Sequence, residues 1–181
     1  MPRIEPLSDE QATGEAAELF GAIKQKVGKV PNLYRTLGHA PSVLGGLLQL
    51  GEALDGGSLS AAVKEQIALR VAERNGCDYC ASAHTAIGKS VGLSEDQAIA
   101  ARQGRADDDK TQAILRLVDA ILEREGFVTD DQLGAARDAG IDDAQVLEVV
   151  GQVIKNIFTN FVNHVAQTEV DFPAVRQLQE A

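Results

Sequence analysis

The sequence predicts an all-α protein, and three observations support that prediction. Apolar residues recur with the helical period, as in Ile114, Leu117, Val118, Ile121 and Leu122. Residues typical of helix caps precede such segments, and glycines follow them. No convincing run of alternating, β-branched residues indicates a strand. The spacing predicts nine helices, at about residues 9–27, 33–38, 42–55, 60–75, 78–90, 95–103, 108–125, 130–139 and 143–168.

Capping pairs and glycines set the limits of these helices. In a capping box, the side chain of the N-cap residue accepts a hydrogen bond from the backbone N–H three residues later. A Glu or Gln side chain at that later position accepts one from the backbone N–H of the N-cap residue. The pattern starts the first, sixth, eighth and ninth helices, at Ser8–Gln11, Ser94–Gln97, Thr129–Gln132 and Asp142–Gln145. The predicted stops are glycines that can take the left-handed closing conformation, namely Gly28, Gly76, Gly92, Gly104, Gly126 and Gly140.

The ninth predicted helix carries a row of amide side chains along one face. The row follows helical spacing and consists of Asn156, Asn160, Asn163 and Gln167. Because polar residues on one helix face usually meet water, we expect a solvated or subunit-facing stripe. The alternative is that these amides line a pocket or position His164. Opposite the stripe lies an apolar row, Ile157, Phe158, Phe161, Val162 and Val165.

The chain is predicted to form a single domain over residues 1–181. A polar break at residues 104–109 separates an N-terminal half, 1–104, which carries both cysteines, from a C-terminal helical half, 105–181. After Pro173 we expect a short tail helix that packs on a neighbouring subunit.

The composition excludes several classes of protein. A formal net charge of −10 argues against nucleic-acid binding, which needs clustered Lys and Arg. No apolar run reaches the roughly 18 residues of a membrane span, and residues 1–6 lack the apolar stretch of a signal peptide. We therefore expect a cytoplasmic protein, in which a CxxC pair is catalytic or metal-binding more often than structural.

The strongest signal is the placement of the two cysteines. Cys77 and Cys80 lie three residues apart, and His84 follows four residues later. In a helix these steps put both sulfurs and the imidazole on one face. Thiol chemistry proceeds through the thiolate, which needs a base or a positive field nearby. His84 supplies the base, and the start of a helix supplies the field, so the spacing is typical of thiol chemistry or of a metal site.

Glu65 lies on the predicted helix before Gly76, and His84 lies on the predicted helix after it. Their distances from Gly76 along the two helices are comparable. If the chain reverses at Asn75–Gly76, the Glu65 carboxylate can face the imidazole. A carboxylate that bonds an imidazole fixes its tautomer and raises its basicity. We therefore predict a proton relay of Glu65, His84 and one cysteine.

These residues resemble the alkylhydroperoxidase D-like family, also called the carboxymuconolactone decarboxylase family. Its peroxidase members carry a Glu, a CxxC pair twelve residues on, and a His four residues after the second Cys, as Glu65, Cys77, Cys80 and His84 do. The flanks at residues 30–35, 160–164 and 170–173 are similar to a subgroup usually labelled peroxidase-related. The resemblance implies the family's helical bundle, with the CxxC at a helix N-terminus.

The resemblance also implies a function, a thiol-dependent peroxidase with antioxidant activity. Cys80 would attack a small hydroperoxide, Cys77 would resolve the sulfenic acid to a disulfide, and His84 with Glu65 would move the proton. A dithiol or lipoyl-type reductant would recycle the disulfide, and neither a cofactor nor a metal is implied. The family also implies a homo-oligomer, a trimer or a hexamer. The field at a helix start favours Cys77 as the thiolate instead, and the sequence leaves this conflict open.

One residue departs from the family pattern, and other interpretations remain. The best-studied members place a histidine next to the second cysteine, where this chain has Tyr79, which cannot act as a base at neutral pH. A zinc site could use Cys77, Cys80 and His84, with Glu65, His39 or His164 as the fourth ligand. The alternatives to a peroxidase are a non-catalytic helical module whose Cys/His cluster binds metal or senses oxidation, and a carboxymuconolactone decarboxylase-like enzyme.

Overall fold

The computed structural model describes residues 1–175 and 178, and within them every regular element is a helix. The prediction of an all-α protein is confirmed. Helices α1 to α9 span Glu15–Val27, Asn32–Leu37, Pro41–Asp55, Ala61–Arg74, Asp78–Ser90, Glu95–Arg102, Asp109–Glu123, Asp130–Asp138 and Asp143–Ala166. In the described part of the chain, no helix is both long and apolar enough to cross a membrane.

Helix α4 lies at the centre of the bundle and contacts α5, α6, α7 and α9. Its apolar side chains point in several directions, and Ile67, Leu69 and Val71 are each fully buried. A helix with buried side chains on several faces is expected at the centre of a bundle. Ile67 and Val71 pack in one hydrophobic cluster with residues of α7 and α9, so this cluster draws on both sides of the polar break.

Most predicted helix limits agree with the structure to within two residues. The capping boxes at Ser94, Thr129 and Asp142 each form both of their hydrogen bonds. Most of the small differences fall on cap residues, which the predicted ranges include in the helix. Ser60 and Asp108, for example, are N-caps, and their side chains accept from Val63 N and Thr111 N.

The predicted start of the first helix, at residue 9, is wrong. Ser8 and Gln11 do form the reciprocal hydrogen bonds of a capping box, at 2.9 and 3.3 Å. The turn that they close does not propagate, because Gly14 adopts a positive φ of 54°, and α1 begins only at Glu15. A cap initiates a helix only if the residues behind it continue with helical dihedrals.

The orientation of α9 also differs from the prediction. Asn156, Asn160 and Asn163 are buried, with exposures of 1, 0 and 4%. The expectation of a solvated or subunit-facing amide stripe is therefore wrong for these three, and Gln167 alone of the row is exposed. The opposite face carries exposed apolar side chains instead, among them Ile154, Phe158, Phe161 and Val165.

The C-terminal segment leaves α9 at Gln167, which closes the helix in the left-handed conformation. Residues 168–175 then run back along the bundle, and Val175 N donates to Ser82 Oγ of α5 at 3.1 Å. The predicted tail helix after Pro173 falls largely on residues 176, 177 and 179–181, which lie outside the described residues.

Candidate active site

The turn between α4 and α5 places both cysteines at the start of a helix. Gly76 takes a positive φ of 66°, and Cys77 N donates to Ala72 O, which reverses the chain. Cys77 is the N-cap of α5, and its sulfur accepts the backbone N–H of Cys80 at 3.2 Å. Cys77 and Cys80 are joined by a disulfide, with their Cα atoms 5.3 Å apart. The predicted position of the CxxC at a helix N-terminus is confirmed.

Glu65 and His84 meet across the α4–α5 hairpin, as the spacing predicts. His84 Nδ1 lies 2.8 Å from Glu65 Oε2, and both side chains are mostly shielded, with exposures of 19 and 16%. An ionised carboxylate can only accept, so Nδ1 carries the proton and Nε2 is left free to accept one. Gly88, one turn after His84, faces Glu65 across the hairpin, and a Cβ there would lie 3.8 Å from Glu65 Cβ, an ordinary contact distance.

Two further titratable side chains share the surroundings of Glu65. Burial lowers the pKa of Lys155 on α9, and the negative charge of Glu65 partly offsets that effect. Burial raises the pKa of Tyr34 on α2, and the charges of Asp55 and Glu65 add to the rise. The carboxylate of the predicted relay therefore lies in a shielded environment in which charge interactions are strong.

Tyr79, at the position where the best-studied relatives have histidine, is buried and fully engaged. Its hydroxyl donates to Asp171 Oδ1 at 2.8 Å and accepts the backbone N–H of Leu33 at 3.2 Å. Burial raises the pKa of Tyr79 far above its usual value. The Phe172 ring packs edge-on against the Tyr79 ring, and Lys29 pairs with Asp171 at 3.0 Å. Tyr79 thus ties the first turn of α5 to the C-terminal segment.

Asn163 also lies at this site, although the sequence favours a solvated or subunit-facing environment for it and names a pocket only as the alternative. Its Nδ2 lies 3.3 Å from Cys80 Sγ and 4.0 Å from Cys77 Sγ. The amide row on α9 was the available signal. The helical spacing of the row shows that Asn163 lies on the same face of α9 as the other amides. It does not show whether that face is buried or exposed.

The two remaining histidines lie elsewhere. His39, in the connection between α2 and α3, is exposed, and its Nε2 is 2.9 Å from Glu5 O. His164 is exposed beside the Phe161 ring, so the buried amides do not surround it. In the part of the chain that the structure describes, no group of three or more His, Cys, Asp or Glu side chains is arranged to hold a metal ion.

Comparison with known proteins agrees with this fold. Residues 41–123, which include α4, α5 and the disulfide, match the model of the carboxymuconolactone decarboxylase family. No curated protein matches the chain.

Three solved structures share the fold. The alkylhydroperoxidase D core of a peroxidase-related protein from Ralstonia eutropha is 20% identical, with a TM-score of 0.85 over 94% of this chain and 92% of its own. A peroxidase-related protein from Silicibacter is 20% identical, with a TM-score of 0.77 over 93% and 88%. The debrominase Bmp8 is 19% identical, with a TM-score of 0.78 over 93% and 91%.

At these identities the three structures establish the fold, and the family match covers the segment that carries the disulfide and the Glu65–His84 pair. The chain therefore has the alkylhydroperoxidase D-like fold, and its residues 41–123 are similar to the carboxymuconolactone decarboxylase family.

Proposed function

We propose that the protein is a thiol-dependent peroxidase that reduces small hydroperoxides. The observation that supports this most directly is the disulfide at the start of α5, one helical turn before a histidine that is bonded to a carboxylate. A sulfur nucleophile, a resolving sulfur and a positioned base are the groups that such a reaction needs. The family and its neighbours are enzymes, which agrees with a catalytic role.

In the proposed reaction, the Cys80 thiolate attacks the distal oxygen of the hydroperoxide. The S–O bond forms as the O–O bond breaks, which leaves a Cys80 sulfenic acid and an alkoxide. His84, hydrogen-bonded to Glu65, has taken the thiol proton and returns it to the alkoxide to give the alcohol. Cys77 then attacks the sulfenic sulfur, water leaves, and the disulfide forms.

Recycling requires two electrons from outside the chain. We propose a dithiol, such as a lipoyl group on a partner protein, which reduces the disulfide by thiol exchange through a mixed disulfide. Such a cycle needs a reducing compartment, so we place the reaction in the cytoplasm.

The test treats the reduced protein with one equivalent of tert-butyl hydroperoxide. We expect the mass to fall by two hydrogens on the peptide that holds both cysteines, with one equivalent of alcohol formed. Adding dihydrolipoamide should make the reaction catalytic. An unchanged number of free thiols after treatment with the hydroperoxide would refute the proposed peroxidase activity. A brominated pyrrole is the comparison substrate, because the debrominase Bmp8, which has this fold, has been solved in complex with 2,3,4-tribromopyrrole. If the brominated pyrrole oxidises the two thiols and the hydroperoxide does not, the site is assigned to dehalogenation.

Two cysteine variants act as controls for each other. Cys80→Ser should not react with the hydroperoxide. Cys77→Ser should react once and stop at a sulfenic acid, which dimedone can trap. If Cys77→Ser is the unreactive variant, the roles of the two sulfurs are reversed.

A further inference from the structure

The inward-facing amides of α9 are costly to bury, so their partners are informative. An amide taken out of water loses free energy unless it is hydrogen-bonded again. Asn156 Nδ2 bonds the Gln152 carbonyl of its own helix, and Asn160 Oδ1 accepts from Asn75 Nδ2. Asn163 is the member of the row whose amide reaches the disulfide sulfurs.

Asn163 is held in place by its own backbone. Its carbonyl accepts the N–H groups of Gln167 and Thr168 where α9 ends, so this turn of the helix is closed twice. Its side chain is 4% exposed and extends toward α5, nearer to Cys80 Sγ, at 3.3 Å, than to Cys77 Sγ, at 4.0 Å. A buried, fixed donor therefore points at one sulfur in preference to the other.

The two sulfurs receive different donors. Cys77 Sγ accepts the backbone N–H of Cys80, a bond that belongs to the helix start itself. Cys80 Sγ accepts a side-chain amide that comes from a separate helix. A thiolate or a disulfide sulfur has no hydrogen to donate, so the N–H end of the carboxamide is the one that suits it. Among the described residues, the buried carboxamide oxygen of Asn163 has no hydrogen-bond partner.

We propose that Asn163 is the hydrogen-bond donor that stabilises the negative charge on Cys80 Sγ and thereby makes Cys80 the attacking sulfur. The inference deepens the proposed peroxidase and rests on it for its catalytic consequence. It also answers the question that the sequence leaves open, because the field at the helix start favours Cys77, whereas the Asn163 amide opposes that preference. Bonds from a neutral donor to an ionised acceptor are stronger than neutral pairs, so one donor has a measurable effect on the thiolate.

The test measures the thiol of Cys80 alone, in a Cys77→Ser background, by the pH dependence of its alkylation with iodoacetamide. We expect Asn163→Ser, which is too short to reach the sulfur, to raise the Cys80 pKa by about one to two units. The thiolate fraction at neutral pH then falls by about 10- to 100-fold. In the reciprocal Cys80→Ser background, the same change should move the Cys77 pKa by less, because its contact with Asn163 is longer.

Asn156→Ser is the matched control, since Asn156 is also buried on α9 but its amide donates to the Gln152 carbonyl of the same helix. It should leave the Cys80 pKa unchanged. Asn163→Leu, close in size to asparagine, repeats the measurement if the serine variant does not fold. An unchanged Cys80 pKa in either folded variant, or an equal shift at Cys77, overturns the assignment. Because alkylation involves no peroxide, a shifted pKa in a protein that fails to reduce hydroperoxides would refute the proposed function and leave the Asn163 assignment intact.

Discussion

At the scale of single residues, the proposed chemistry depends on a contact between two side chains of adjacent helices. Glu65 orients His84 through Nδ1, and this leaves Nε2 as the group that can move a proton on the face of α5 that Cys80 shares. Without the carboxylate, the imidazole loses both its fixed tautomer and its orientation. The pair is therefore expected to act as a unit, so that losing either member costs about as much as losing both.

Glu65→Gln and His84→Gln should each slow the oxidation of the reduced protein by hydroperoxide by about 10²- to 10⁴-fold, the usual effect of general acid–base catalysis. The rate is measured from the loss of thiols in stopped-flow mixing. The control is Glu95→Gln. It removes an exposed carboxylate of α6 that pairs, at 3.2 Å, with Lys89 on α5, the helix that also carries His84. Rates for the Glu65 and His84 variants equal to that of Glu95→Gln would contradict the relay.

The contact between Glu65 and His84 could be predicted from the sequence, and the contact of Asn163 could not. Glu65 and His84 lie on two successive helices joined by a tight turn, so their distances from Gly76 fix their meeting. Asn163 lies on α9, 83 residues beyond Cys80, and its contact depends on how α9 docks against α4 and α5. Periodicity shows which residues share a face, but the packing of the whole bundle decides which face is buried.

At the scale of elements, the carboxylate of Glu148 on α9 is hydrogen-bonded to the loop that precedes α4. Glu148 accepts Ser58 N at 2.8 Å and Leu59 N at 3.0 Å. The hydrogen bond from the Ser58 backbone, followed by that from Leu59, lowers the pKa of Glu148 below its usual value. The ionised carboxylate thus stabilises the folded state and helps to position the helix that carries Glu65.

The lowered pKa of Glu148 makes the stability of the protein depend on pH in a definite direction. A carboxyl whose pKa is lower in the folded state contributes stability above its unfolded pKa of about 4.3, and that contribution is lost as pH falls through the folded pKa. Glu148→Gln should therefore reduce the free energy of unfolding at pH 7, and its difference from the wild type should shrink below about pH 4. Urea titrations at several pH values measure this. Glu52→Gln, at an exposed carboxylate of α3, is the control. A constant difference across pH would exclude the charge as the cause.

Helix α1 and the end of α2 approach each other closely at Gly38. Gly38 has an ordinary helical φ of −57°, so its role is space and not backbone freedom. A Cβ there would lie 2.6 Å from Phe20 Cζ and 3.0 Å from the Arg35 carbonyl oxygen. We expect Gly38→Ala to destabilise the protein by about 1–3 kcal/mol, since the buried ring has to move.

Gly46 offers the matched comparison. It lies exposed within α3, and a Cβ there would meet nothing within 4 Å. Gly46→Ala should therefore stabilise the protein, by up to about 1 kcal/mol, because alanine has the higher helix propensity. Thermal and urea unfolding of the two variants give the signs. Equal effects of the two substitutions would show that crowding at Phe20 does not matter.

At the scale of the whole molecule, α9 turns its polar face inward and an apolar face outward. The outer stripe comprises Leu147, Ile154, Phe161 and Val165, each more than half exposed. Contiguous exposed apolar surface is uncommon on monomers and usually marks an interface. The burial of the amides against α4 and α5 leaves these side chains without a place in the subunit's own core. We propose that they form the contact between subunits of a homo-oligomer, a trimer or a hexamer.

Light scattering at micromolar concentration should give a mass three or six times that of one subunit. Replacing Ile154 and Phe161 together by Glu places two charges in the proposed contact, and it should reduce the assembly to smaller species, because unpaired buried charges are costly. Phe127→Glu is the matched control: Phe127 is 80% exposed but lies in the connection between α7 and α8 and not on α9. It should leave the mass unchanged. A monomeric wild type would remove the proposal. An assembly that the double variant leaves whole would place the contact on another face, and the apolar stripe of α9 would then need a different partner.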